Sequence, residues 1–128
     1  MLAVDVADVT AAHLTPLAPV LTAPRLPGVD GVPDWAWHVL NYPGGFLIVP
    51  EPRLIGPGPH IARWYVTVQV GARTAQEARA LAGQVQARLH GTPRNFTGFE
   101  YQGDVGSGFV RDGFKITLSF ALTRRLKE

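Results

Sequence analysis

The residues best suited to proton or metal chemistry are the four histidines, His13, His38, His60 and His90. They fall in four separate segments, and no pair has the i, i+4 spacing that turns two imidazoles toward one ion on a helix face. They read as packing or surface histidines. The carboxylates are equally dispersed. Asp104 and Asp112 flank a glycine-rich run, but general acid–base work needs one member of a pair held in a perturbing pocket, so both read as turn-forming aspartates. The run Gly103 to Gly108 has the spacing G-x-x-G-x-G, which is neither a dinucleotide fingerprint nor a phosphate loop, and no helix follows it directly. Ser107 lacks a nucleophile-elbow sequence. The chain has no cysteine, which excludes disulfides, thiolate metal sites and thiol nucleophiles. The expectation is a protein that is not an enzyme, with no catalytic residue, cofactor or metal.

Two binding chemistries are weighed against this background. Trp64, Tyr65, Phe96, Phe99 and Tyr101 could stack bases, but Trp64 is in phase with Val66 and Val68, and the basic–aromatic signature of RNA-recognition sheets is missing. A net charge of +2 is too small to imply nucleic acid by itself. The basic end, Arg124, Arg125 and Lys127, is suited to phosphate or an acidic partner, or is a solvated tail. No segment approaches the roughly 20 apolar residues of a membrane span, and the first residues lack a signal-peptide pattern. A soluble product made in the cytoplasm is expected.

The elements that must position any site follow from hydrophobic period. With 128 residues, 46% apolar and 17% charged, the chain is expected to form one domain over 1–128. Residues 5 to 15 read as a short helix ended by Pro16, and 16 to 33 as a proline-rich surface connection. Trp35 to Tyr42 and Phe46 to Val49, separated by Pro43-Gly44-Gly45, read as a β-hairpin. Residues 50 to 60 read as a stiff Pro/Gly loop. Trp64 to Val70 alternates as a half-buried strand. Thr74-Ala75-Gln76-Glu77 forms a capping box, and Ala78, Leu81, Ala82, Val85 and Leu89 give the following helix its packing stripe. Phe114 to Leu122 alternates as a closing strand after an Asp112-Gly113 turn. The predicted class is α+β: a mainly antiparallel β-sheet with one long amphipathic helix on one face and a short N-terminal helix.

Without reaction chemistry, the long loops become the candidates, because loops of that size are usually functional. In the first, Pro52, Arg53, Leu54, Ile55 and His60 combine apolar side chains with stiffening prolines. Either Leu54 and Ile55 form an exposed contact, or they fold back under the loop over the domain's own core. In the second, 103 to 113, Asp104 and Arg111 sit among glycines that allow close backbone approach. Arg124 and Arg125 complete the set of assembly candidates.

The order of a variable N-terminal helix, a hairpin, the strand Trp64-Tyr65-Val66-Thr67-Val68-Gln69-Val70, the helix opening Thr74-Ala75-Gln76-Glu77 and the closing strand Lys115 to Arg124 resembles the tail terminator proteins of long-tailed bacteriophages. The likeness covers about residues 35 to 125. It implies a structural virion protein that forms a hexameric ring, ends the tail tube at its head-proximal end and joins tail to head. The implied partners are further copies of itself, the major tail tube protein and a neck or head-completion protein, with DNA passing through the channel and no membrane. The long 50 to 60 loop and the tryptophan-rich hairpin depart from the family pattern. A neck or head-completion (head–tail connector) protein is the alternative, and a small nucleic-acid-binding α+β module the reading from another class.

Overall fold

A computed structural model describes residues 3–22, 27, 31, 33–57, 61–90, 98–110 and 113–125. In chain order the elements are α1 (Ala3–Leu14), β1 (Val20–Thr22), α2 (Trp35–Asn41), β2 (Phe46–Val49), β3 (Arg53–Pro57), β4 (Ile61–Ala72), α3 (Ala75–His90), β5 (Phe99–Val110) and β6 (Gly113–Arg125). The α+β class and the mostly antiparallel sheet are as expected.

The sheet order is β1-β2-β4-β6-β5. β1 and β2 pair in parallel, and the other pairs are antiparallel. β2 and β3 share one edge of β4: Phe46 to Ile48 oppose Gln69 to Gly71, and Arg53 to Pro57 oppose Ala62 to Tyr65. Between them lie Pro50, Glu51 and Pro52, where two prolines without N–H groups suit a break in the ladder.

Period-2 alternation gives β4 and β6 two unlike faces. Register puts Trp64 opposite Leu122, Val66 opposite Phe120, Val68 opposite Leu118 and Val70 opposite Ile116, so these residues share the face that α3 covers. Their alternates, Tyr65, Thr67, Gln69, Thr117 and Lys115, are half-buried on the other face. α3 follows β4 directly because Thr74 Oγ1 accepts from the Glu77 N–H at 3.2 Å. Its stripe Ala78, Leu81, Ala82, Val85 and Leu89 is buried as the period predicts. α1 packs beside α3, adding Val6 and Leu14 to the same core.

Three expectations are corrected. Trp35 to Tyr42 is not a hairpin strand; Trp35–Asn41 is helix α2, whose N-cap Asp34 accepts from the Trp37 N–H at 3.0 Å. Trp35, Val39 and Tyr42 pack with Phe46 and Ile48 in a second cluster on the face away from α3. β2 is therefore buried on both sides, Leu47 and Val49 under the helical layer and Phe46 and Ile48 under α2. The 50 to 60 segment contains an edge strand, β3, tolerated because an edge strand needs backbone partners on one side only. The glycine-rich run is part of β5, paired along the long partner β6, with bulges at Gln102 and Val105. The 16 to 33 connection also contributes β1.

Gly71 decides how α2 sits. A Cβ there would lie 2.6 Å from Phe46 Cζ and 2.7 Å from Trp35 Cη2. Only a residue without a side chain lets both rings lie across β4.

Candidate assembly surface

The sheet leaves three margins without a strand partner among the described residues, the outer edges of the three-residue β1, of β3 and of β5; the exposed large apolar residues on its strands lie on the last two. On the β3 margin, Pro52 is buried and precedes the strand, while Arg53, Leu54 and Ile55 are exposed. Leu54 is 43% and Ile55 47% exposed, so neither folds back to cover the domain's core. Ile55 is the bulge residue between Leu54 and Gly56. The Arg53 guanidinium carbon lies 5.3 Å from the centre of the Tyr65 ring, which pins its stem over the exposed face of the sheet. His60 and Arg111 lie outside the described residues. Arg124 and Arg125 end β6, paired with Ala62 and Ile61. That register places them beside the β3 end of the sheet.

Asp104 belongs to the opposite margin. Its Oδ1 accepts from the Tyr101 hydroxyl at 2.5 Å. This hydrogen bond, with burial and the carboxylate charge behind it, pushes the Tyr101 pKa up to about 12. The Tyr101 N–H donates to His90 Nδ1 at 3.2 Å, tying the start of β5 to the end of α3. Ser119 Oγ donates to the Gly103 carbonyl at 2.9 Å and closes the first bulge. The candidates thus divide into an Arg53–Leu54–Ile55 group and Asp104 across the sheet.

Val105, 58% exposed, and Phe109, 84% exposed, are not among the sequence-derived candidates. The available signal was an apolar residue on each side of Gly106-Ser107-Gly108, hidden once the run was read as a loop. Phe109 packs edge-on against Phe114 at 5.0 Å, and the Arg79 guanidinium carbon stands 5.6 Å from the Phe114 ring centre. The remaining large apolar residues exposed among the described ones, Trp37 and Leu40, lie on α2.

Two shallow hollows flank these features. One, of about 190 Å³, is lined by Gly106, Gly108, Phe109, Lys115 and Thr117 among others. Lys115 is its charged group, with Nζ 5.8 Å from the Trp35 ring centre. The other, of about 210 Å³, lies between Leu17–Pro19 and Asn41–Gly45. Of the described histidines, His13 is in α1, its carbonyl accepting from Arg88 Nε at 3.0 Å, His38 is buried in α2, Nδ1 donating to the Asp34 carbonyl at 2.7 Å, and His90 ends α3. What the arrangement offers is contact: apolar side chains on opposite margins of one sheet, flanked by charges of opposite sign. No protein-family model matches the chain, and no curated protein matches it at a significant level.

Proposed function

We propose that this chain is a structural virion protein of a long-tailed bacteriophage, a tail terminator whose copies form a ring that ends the tail tube and joins it to the head. The observation that carries the reading is the unit β4, capping box, α3, β5, β6, which has the order of elements of the family it resembles. Two of its sheet margins, β3 and β5, bear exposed apolar residues, as suits a subunit with neighbours on both sides. Six copies, contact with the major tail tube protein below and a neck protein above, and a channel wide enough for DNA follow from that resemblance.

The test is the mass of the purified protein by light scattering, alone and with the tail tube protein. A ring, or a ring formed only on the tube, supports the proposal. A ring that ignores the tube shifts the assignment to a head-completion protein. A monomer indifferent to the tube refutes both.

A further inference from the structure

The β3 and β5 margins, which carry exposed apolar residues, differ in shape and charge, and the differences match. Beside β2 the sheet continues by one strand into β1, whereas no described strand lies outside β3. The β3 margin is therefore a notch one strand deep, walled on the β1 side only among the described residues and five residues or about 17 Å long at the usual strand rise. β5 presents the other margin as a 12-residue strand. Beyond Tyr101, whose N–H is taken by His90, its stretch Gly103–Val110 is long enough to fill the notch.

The chemistry agrees. β5 carries Glu100 and Asp104 and no basic residue, while β3 carries Arg53, with exposed Arg63 on the adjoining strand opposite Gly56. Four of the six large apolar side chains exposed among the described residues lie on these two margins. Ile55 and Val105 occupy bulges, which interrupt continuous backbone pairing and favour contact through their side chains. Gly106 and Gly108 supply a further argument. Neither has a positive φ, and a Cβ added at either would meet nothing within 4 Å. No contact within the described fold excludes a side chain there, although glycine weakens a strand; close approach by another chain would account for both.

We infer that the β5 margin of one copy seats in the β3 notch of a second copy, head to tail. β5 runs parallel to β4, and β3 runs antiparallel to it, so a neighbour in the same orientation presents its β3 antiparallel to β5. Val105 and Phe109 meet Leu54 and Ile55, with the acidic margin against the basic one. Pairing two β5 margins would instead set Glu100 and Asp104 against their own copies. A contact between unlike surfaces repeats around a ring, whereas a contact between like surfaces stops at a dimer. This inference rests on the self-assembly in the proposed function and names the surfaces that make it.

Because the chain has no cysteine, single-cysteine variants report the contact directly. Val105→Cys and Ile55→Cys are purified separately, mixed, and treated with a short bismaleimide. The expected result is a cross-linked pair in the mixture, about tenfold more than in either variant alone, and a ladder of higher species from the double variant. Gly106→Ala should keep the unfolding transition and weaken assembly about tenfold, as loss of one well-packed interface contact does. Self-cross-linking of Val105→Cys as fast as the mixture overturns the head-to-tail contact. A ring by light scattering without cross-linking in the mixture overturns it too, and leaves the tail terminator reading standing. A monomer that neither assembles nor cross-links refutes both.

Discussion

Replacing Gly71 by alanine tests the seating of α2 on the sheet. The new methyl carbon would stand 2.6 and 2.8 Å from Phe46 Cζ and Cε1 and 2.7 Å from Trp35 Cη2. Carbon atoms rest about 3.5–4.0 Å apart, so both rings must retreat by about 1 Å. They cannot do so independently, because their centres are 4.8 Å apart and Phe46 is fully buried. Overpacking a core costs about 1–3 kcal/mol, and two interlocked rings place this case in the upper half, about 2–3 kcal/mol. With a urea m-value of about 1.5 kcal/mol/M for a chain of this size, the midpoint falls by about 1.3–2 M. Urea unfolding followed by circular dichroism reads this shift, and Gly106→Ala, with open space around its methyl group, is the control. Its stability should stay within about 0.5 kcal/mol of the parent or rise slightly. If Gly71→Ala unfolds at the same urea concentration as the parent, α2 does not lie across β4 and the second core cluster is wrong.

Thr74→Ala removes the α3 cap and should cost about 1 kcal/mol, read as a melting temperature lower by about 4 °C. The double change Leu54→Ser with Ile55→Ser removes exposed apolar contacts, so thermal unfolding should barely move while assembly in sedimentation weakens; collapse of the fold would place both side chains in the core. Phenolate absorbance should show one of the three tyrosines titrating near pH 12, and Asp104→Ala should bring it down toward the ordinary value of 10. Since folding raises this pKa, the stability it adds is complete below pH 10 and is lost between 10 and 12; stability of the parent and of Asp104→Ala should therefore converge over that interval.

β4, α3 and β6 are legible in the sequence because each carries a long, uninterrupted period, and Thr74 with Glu77 marks the helix start. α2 was missed because Trp, Val and Tyr are strand formers and the segment is short. Yet Asp34 is an N-cap, and Trp35, His38, Val39 and Tyr42 have the i, i+3, i+4, i+7 spacing of one helix face. β5 was hidden for a different reason. Its glycines argue locally for a loop, and only the long partner β6 makes the segment a strand, a tertiary effect that no local propensity contains. For the assembly surface, Leu54 and Ile55 could be named from the sequence but not placed, since exposure depends on β3 lying at an edge. Phe109 became visible only when the strand beneath it did.

The ladder between β4 and β6 runs through twelve register pairs without a bulge, while β3 and β5 are each interrupted. Amide protons along the central ladder are released only when the whole sheet opens, and those of the margins by small local openings. The molecule thus joins a rigid spine to borders that breathe. A neighbour docking on the borders would slow proton exchange at Leu54 to Gly56 and Gly103 to Phe109 and leave Val66 to Val70 unchanged. Such a border can adjust to a partner while the spine keeps its shape, as the proposed ring subunit would need.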